Sequence, residues 1–114
     1  MTDCLFCKIV AGEVPADIVY QDAEAVAFRD INPQAPLHVL VVPRKHFAGF
    51  AEADEDDEVL IGRVARTAAR VAEREGVASG GYRIVVNFGP DAQQSVPHLH
   101  MHVLGGRRMS WPPG

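Results

Sequence analysis

The sequence lacks the features that mark secreted, membrane-spanning and disordered chains. Its 114 residues include only two cysteines, one tryptophan and 7% aromatic residues. The longest apolar run, Val39–Pro43, is far too short to span a bilayer. The N-terminal residues show neither a basic segment nor a long apolar stretch, so we expect no secretory signal, no membrane partner and a reducing, cytoplasmic location. Apolar and charged fractions of 47% and 23% are typical of a folded protein and predict a single domain over residues 1–114.

The sequence also lacks an excess of basic residues. Eleven lysines and arginines against fifteen acidic residues give a net charge of −4, which argues against a nucleic-acid binder. Six of the acidic residues lie in the segment Glu52–Glu58, however. The overall charge therefore says little about the rest of the surface.

Hydrophobic periodicity predicts an α+β fold, with a mainly antiparallel five-stranded sheet, one short helix and one long helix. The short helix is predicted over Leu5–Val10, the long helix from the acidic segment to Glu75, and the strands over Ile18–Gln21, Ala25–Arg29, Leu37–Pro43, Tyr82–Asn87 and His98–Leu104. Leu37–Pro43 is almost wholly apolar, which is typical of a central strand. Asp54 is the expected N-cap of the long helix, and Gly76 the residue that ends it. The apolar stripe of this helix comprises Leu60, Val64, Ala68, Val71 and Ala72.

Three histidines alternate with apolar residues in the last predicted strand. Alternate side chains of a strand share one face, so His98, His100 and His102 are expected to form a row while their neighbours face the core. Neighbours in such a row lie about 6.6 Å apart, which is too extended for one compact metal shell. The row suits an elongated anion, with one imidazole reacting and the others contacting either side. Neutral imidazole at pH 7 is a competent nucleophile.

The two cysteines, Cys4 and Cys7, have the CxxC spacing. In a reducing compartment this spacing is found in metal sites and in redox pairs. Two small buried apolar side chains also satisfy the pattern. The spacing alone leaves all three interpretations open.

The motif His98–Leu104, a His-x-His-x-His followed by two apolar residues, resembles the signature of the histidine-triad (HIT) family. The likeness to the Hint branch of that family extends over essentially the whole chain. It is carried further by the segments Asp30–Pro36, Leu37–Pro43, Tyr82–Asn87, Gln94–Val96, Leu104–Arg107 and Trp111–Gly114.

The resemblance implies hydrolysis of purine nucleoside phosphoramidates, such as AMP joined to an amine, through a covalent nucleotidyl-histidine. His100 is the implied nucleophile, His102 contacts the α-phosphate and His38 helps to orient the nucleophile. Asn87 and Ser95 contact the phosphate oxygens and the leaving group. The remaining implied substrate residues are Asp30, at the ribose hydroxyls, and the apolar residues that enclose the base, Phe6, Ile9, Phe28, Ile31 and Leu40.

Some bacterial members of the family carry a structural zinc ion. The residues of this chain at the matching positions are Cys4, Cys7, His46 and His98, a donor set that suits tetrahedral zinc. The resemblance also implies a homodimer in which the sheet continues across a two-fold axis. The C-terminal segment 105–114 is then expected to reach toward the partner's site.

The sequence departs from the branch at three positions: Phe88 replaces a residue that is often acidic, Gln93 replaces a glycine and Pro97 replaces an aromatic residue. These departures bear on leaving-group preference more than on the nucleophile.

Three other functions compete with the leading one. A dinucleoside polyphosphate hydrolase of the same family is one, although the Trp-Pro-Pro-Gly ending argues against it. A zinc-stabilised nucleotide-binding or partner-binding protein with negligible turnover is another. A histidine metalloenzyme is disfavoured because no acidic ligand accompanies the triad.

Overall fold

The computed structural model describes residues 3–114, so Met1 and Thr2 of the predicted domain lie outside the described residues. Within this range the helices are α1 (Leu5–Val10) and α2 (Glu58–Arg74). The strands are β1 (Ile18–Gln21), β2 (Ala25–Arg29), β3 (Leu37–Pro43), β4 (Tyr82–Val86) and β5 (Met101–Gly105). Short 3₁₀ turns cover Phe50–Glu52, Glu55–Asp57 and Pro90–Ala92.

The five strands form one sheet in the order β1-β2-β3-β5-β4, and every neighbouring pair is antiparallel. The third strand, β3, is the central one, and all seven of its residues are buried. The predicted α+β fold, with its antiparallel sheet, one short helix and one long helix, is confirmed.

The two helices cover opposite faces of the sheet because strand side chains alternate between the faces. One face packs against the apolar stripe of α2, as predicted, and its sheet residues include Val39, Val41 and Val103. The other face packs against α1 through Phe6 and Ile9. The sheet residues on that second face are Val26, Phe28, Leu40 and Val42.

The predicted strand His98–Leu104 is wrong at its start, because β5 begins only at Met101. The ladder between β3 and β5 starts at the pair Val41 and Met101, and its continuation would bring Leu99 opposite Pro43. Proline has no N–H to donate to such a ladder. The Leu99 N–H donates instead to the Phe47 carbonyl at 2.7 Å.

Strand β4 is one residue shorter than predicted. It ends at Val86, the partner of Met101, because β5 offers no earlier strand residue to pair with Asn87.

Asp54 does not cap the long helix. It precedes the 3₁₀ turn, and Asp57 is the N-cap of α2. The buried Asp57 carboxylate accepts hydrogen bonds from the Asp54 N–H at 2.9 Å and from Lys45 Nζ at 2.5 Å. Lys45 lies just beyond β3, so the Lys45–Asp57 ion pair connects the segment after the central strand to the start of α2.

Gly76 ends α2 as predicted. Its φ is +81°, in the left-handed region. The N–H groups of Gly76 and Val77 donate to the carbonyls of Glu73 and Ala72 at 3.1 and 3.0 Å, which satisfies the last turn in the manner of a Schellman motif.

Replacement of glycine by alanine is expected to change the free energy of unfolding in opposite directions at Gly76 and at Gly62. Gly76→Ala should lower the free energy of unfolding by about 1 kcal/mol, because an L side chain is strained at positive φ. Gly62→Ala, inside α2 with open space around the position of a Cβ, should raise it by about 0.5–1 kcal/mol. Urea unfolding of the two variants measures both changes, and equal signs would contradict the assignment of Gly76 as a left-handed terminator.

Candidate active site and metal centre

A cavity of about 300 Å³ opens on the face of the sheet that carries α1. This volume is at the lower end of the range for small-molecule sites. All five apolar residues expected to enclose a base line it, together with Asp30, Ser95, His100 and His102. Lining residues that the sequence did not indicate include Val14, Pro15, Ala16 and Val96. We call this space the apolar cavity.

His100 lies in the segment before β5, and its ring is buried against Phe6 and His102 at centroid distances of 5.0 Å each. Its Nδ1 lies 2.8 Å from the carbonyl oxygen of His98. A carbonyl oxygen can only accept a hydrogen bond, so Nδ1 carries the proton. In neutral His100 the unprotonated atom is therefore Nε2, which is the form a nucleophile needs.

His38 and His102 form a hydrogen-bonded pair on the cavity face of the sheet. The Gln34 N–H donates to His38 Nδ1 at 3.0 Å, so in the neutral ring the proton of His38 is on Nε2. That Nε2 donates to His102 Nδ1 at 2.8 Å and lies 3.4 Å from Asp30 Oδ2. His102 consequently carries its own proton on Nε2, where it can donate to a bound anion.

The pKa of His102 is lowered to about 4, chiefly by burial and also by positive charge on His100 or His38, with Asp30 opposing the shift. Burial also lowers the pKa of His38, which Asp30 partly offsets. Both rings are therefore neutral at pH 7, and the hydrogen-bond directions given above apply.

An NMR titration of His102 should accordingly show a midpoint near pH 4 rather than near 6.5. The unfolded chain takes up this proton below about pH 6.5, whereas the folded chain does not until near pH 4. The stability that neutral His102 contributes should thus be complete above pH 6.5 and be lost as the pH falls toward 4. A His102→Asn variant identifies the resonance, and a midpoint near 6.5 would contradict the burial argument.

The structure bears on three expectations about these residues. His38 contacts His102 rather than His100, so any effect on the nucleophile passes through the His102 ring. Asn87 does not line the apolar cavity, although Ser95 does. An acidic group does accompany the triad, because Asp30 lies beside His38 and His102, and no sequence spacing indicated this approach.

Cys4, Cys7, His46 and His98 form the second group, which we call the thiol–imidazole cluster. His98 Nδ1 lies 3.4 and 3.5 Å from the sulfurs of Cys4 and Cys7 and 3.1 Å from His46 Nδ1. The Cys7 sulfur lies 3.3 Å from His46 Nδ1. Bond lengths of about 2.3 Å to sulfur and 2.0–2.1 Å to nitrogen give a tetrahedral zinc site edges of about 3.3–3.8 Å. The cluster is thus close to the size of such a site.

The hydrogen bonds on the outer side of the rings distinguish this cluster from the group of Asp30, His38 and His102. His98 Nε2 donates to the Pro43 carbonyl at 2.8 Å, which leaves Nδ1 unprotonated toward the thiols. A metal-ligating histidine is normally held by such an acceptor. His38 instead receives a donor, the Gln34 N–H, so its Nε2 is protonated and unsuited to a metal. The thiol–imidazole cluster therefore fits zinc and the other group does not.

Gln94 is a positioning residue for which the sequence assigned no role. Its Oε1 accepts from the Gly89 N–H at 3.0 Å, and its Nε2 donates to the carbonyls of Ala48 and Val96 at 2.7 and 3.2 Å. The side chain thus closes the loop that carries Ser95. Gln93 in the same loop has a φ of +57°, in the left-handed region that favours glycine.

The C-terminal residues lie against β4. Arg83 donates to the Ser110 carbonyl, and its guanidinium lies 5.7 Å from the centroid of the Trp111 ring. Trp111 itself is 80% exposed.

Neither helix within residues 3–114 is long and apolar enough to cross a membrane.

Comparison with known proteins places these features in context. The family model described as the HIT domain matches residues 11–109. An uncharacterised HIT-like protein of Synechococcus elongatus is 48% identical over 112 residues, which cover 98% of this chain and 97% of that protein.

Two solved structures are informative. A HIT family hydrolase from Legionella pneumophila superposes with a TM-score of 0.95 at 47% identity, over 98% of this chain and all of that one. A zinc-bound histidine triad family protein from Mycobacterium smegmatis superposes with a TM-score of 0.79 at 31% identity, over 96% of this chain and 78% of that one.

Proposed function

Since the chain belongs to the HIT domain family, we propose that it hydrolyses purine nucleoside phosphoramidates at the α-phosphorus. The observation that carries the proposal is the tautomer of His100. Its Nδ1–H is held by the His98 carbonyl, and its unprotonated Nε2 belongs to a ring that lines the apolar cavity. The similarity to a HIT family hydrolase supports a hydrolytic reaction.

In the first step His100 Nε2 attacks the α-phosphorus, the P–N bond breaks and the amine leaves with a proton. In the second step water attacks the nucleotidyl-histidine, and the nucleoside monophosphate is released. A covalent route divides one difficult displacement into two easier ones. The His98 carbonyl stabilises the positive charge that His100 acquires when it attacks.

The other polar residues of the cavity supply fixed donors. The His102 Nε2–H donates to a phosphoryl oxygen, where negative charge develops. The Ser95 hydroxyl lies at the leaving nitrogen, and we assign Asn87 a supporting contact from outside the cavity. General-acid assistance to a leaving group contributes roughly 10²–10⁴-fold in rate.

The substrate's nucleoside fits the apolar part of the cavity. Phe6 and Phe28 meet edge to face at 5.5 Å and, together with Ile9, Ile31 and Leu40, enclose a purine base. Asp30 accepts hydrogen bonds from the ribose hydroxyls. One oxygen of this carboxylate already accepts from the Asn32 N–H at 2.8 Å, so its orientation is fixed before the substrate binds.

We further propose that the thiol–imidazole cluster holds a structural zinc ion. Zinc bound there joins α1, the segment after β3 and the segment before β5, which carry its four ligands. Burial lowers the pKa of His98, so the ring is neutral as a ligand must be. His98 is thereby assigned to structure, and His100 remains available to react.

We also propose that the chain forms a homodimer in which the sheet continues across β4. Strand β4 pairs only with β5 among the described strands, and its outer edge can continue the sheet into a second copy. The segment 105–114 begins at the end of β5 and runs past Arg83 of this edge strand, so it can reach the partner. Sedimentation at micromolar concentration should give the mass of a dimer, and a monomer would reject this arrangement.

The deciding experiment is steady-state hydrolysis of a fluorogenic adenosine phosphoramidate, with diadenosine polyphosphates as competing substrates. We expect release of the amine and AMP, together with little cleavage of the polyphosphates. Polyphosphate cleavage alone would favour the other family activity. Nucleotide binding without turnover of either substrate would favour a binding protein.

A further inference from the structure

The thiol–imidazole cluster and the proposed nucleophile share one residue. The side chain of His98 contacts both cysteine sulfurs, while its backbone carbonyl accepts the proton of His100 Nδ1 at 2.8 Å. Any change that shifts the His98 ring therefore acts on the group that fixes the His100 tautomer.

Helix α1 makes a second connection between the two sites. Phe6 lies between the two cysteines in the chain, and its ring meets the rings of His98 and His100 edge to face at 6.0 and 5.0 Å. Phe6 also lines the apolar cavity. The first turn of α1 thus carries both thiols and a wall of the proposed nucleotide site.

The two sulfurs are placed to react with one another. Cys4 is the N-cap of α1, and its sulfur accepts the Cys7 N–H at 3.4 Å, which turns it over the first helical turn. The ligand atoms of the cluster all lie within 4.8 Å of one another. Residues three apart in a helical turn have Cα atoms about 5 Å apart, within the range for a disulfide.

Solvent reaches this pair through Cys7, whereas Cys4 is buried. Cys7 is half-buried, His46 is exposed, and Cys4 lines a surface cleft of about 400 Å³ with Leu5 and Ser95. A small oxidant can enter such a cleft, whereas a fully enclosed structural site excludes it.

We propose that Cys4 and Cys7 form an oxidation site for hydroperoxides, and that their disulfide disables the nucleotide site. One sulfur attacks the peroxide, the O–O bond breaks, and a sulfenic acid forms as water or an alcohol leaves. The second sulfur attacks the sulfenic sulfur, and the S–S bond forms as a water molecule leaves. Two electrons pass from the sulfurs to the peroxide, and zinc is released because the disulfide no longer offers two thiolates.

The expected consequence is a rearrangement around His98. Shortening the sulfur separation to about 2.05 Å distorts the turn that carries Phe6. The unprotonated His98 Nδ1 loses its metal partner. The His98 carbonyl holds the proton of His100 Nδ1, and the Phe6 ring packs against the His100 ring. When both groups shift, the nucleophile loses its fixed orientation. Supporting groups of this kind are worth roughly 10–100-fold in activity.

The inference rests on the proposed function and the proposed zinc, and it is tested on the full chain as purified. Zinc-loaded protein is treated with stoichiometric hydrogen peroxide, and mass, released zinc, AMP affinity and phosphoramidate turnover are measured. We expect the loss of two hydrogen atoms, about one released zinc per chain and a 10–100-fold fall in turnover. A thiol reductant with added zinc should reverse all of these changes.

The composition of the chain simplifies the controls. Cys4 and Cys7 are its only cysteines, so the loss of two hydrogens in a chain that stays monomeric by non-reducing electrophoresis identifies their disulfide. Methionine oxidation adds an oxygen and is not reversed by thiols. Cys4→Ser replaces the sulfur by a hydroxyl oxygen, which can cap α1 but cannot form a disulfide. Peroxide should not remove two hydrogens within one chain of this variant, because oxidation of the remaining Cys7 adds an oxygen or links two chains.

The inference is overturned if the untreated protein holds no zinc, or if peroxide leaves the zinc in place. It is equally overturned if the disulfide forms while turnover and AMP affinity stay unchanged, or if the loss of activity resists thiols. Absence of turnover in the untreated protein would refute the proposed hydrolase. In that case the mass, the zinc release and the AMP affinity still decide whether the cysteines control the site.

Discussion

Replacement of His100 by alanine is expected to lower kcat/KM for an adenosine phosphoramidate by at least about 10³-fold. Loss of a nucleophile removes the covalent route altogether, whereas loss of a supporting donor removes only part of the stabilisation. The effect should fall on kcat, because the His100 ring forms one wall of the cavity and binding depends on many other residues.

The same experiment separates a chemical role from a structural one. AMP affinity of His100→Ala should stay close to the wild-type value, and although loss of the buried ring lowers the melting temperature, the variant should remain folded at the assay temperature. Wild-type protein quenched in alkaline denaturant, in which a P–N bond to histidine survives, should carry a nucleotidyl adduct that the variant lacks. Equal rates for the two proteins, or an adduct that persists without His100, would refute the assignment of the nucleophile.

Most of the fold could be predicted because local patterns and tertiary packing agree. The bounds of α1 and the first three strands match their periodicity, since each segment has one clear apolar face or is apolar throughout. The stripe of α2 faces the sheet as predicted, and Gly76 ends the helix because its positive φ suits only glycine without strain.

Two wrong predictions, the start of the last strand and the N-cap of the long helix, fall where hydrogen-bond partners distant in sequence determine the backbone structure. His98 and His100 belong to an alternating pattern that is typical of a strand, yet the segment opposite them ends in Pro43 and cannot extend the ladder. Asp54 has the residue type of an N-cap. However, the buried Asp57 carboxylate binds Lys45 and takes that position at the helix start.

The candidate site also has parts that could be predicted from the sequence and parts that could not. Residue types and spacing indicated the triad, and the family resemblance implied the four residues of the thiol–imidazole cluster, which the structure brings together. The tautomers could not be predicted, since they depend on three backbone groups: the carbonyls of Pro43 and His98 and the N–H of Gln34. These groups leave His98 Nδ1 unprotonated toward the cysteines and His100 Nε2 unprotonated, and they orient His38 and His102 as a hydrogen-bonded pair.

Removal of zinc should have the largest effect on stability. We expect about one zinc per chain in the purified protein, and chelation should lower the melting temperature by about 15 °C. A ligand present at about 1,000 times its dissociation constant stabilises a fold by about 4 kcal/mol. For a chain of 114 residues the entropy of unfolding converts that energy to a shift of this size.

Two histidine substitutions locate the metal. His46→Ala removes an exposed ligand of the thiol–imidazole cluster, so this variant should lose the zinc and show the low melting temperature without chelator. His102→Ala alters the group of Asp30, His38 and His102, and should retain one zinc per chain. Because the outer hydrogen bonds of His98 and His38 run in opposite directions, His98 Nδ1 is unprotonated toward the cysteines, whereas His38 Nε2 is protonated and already donates to His102. Zinc lost from His102→Ala but kept by His46→Ala would contradict this argument, as would a melting temperature that chelation leaves unchanged.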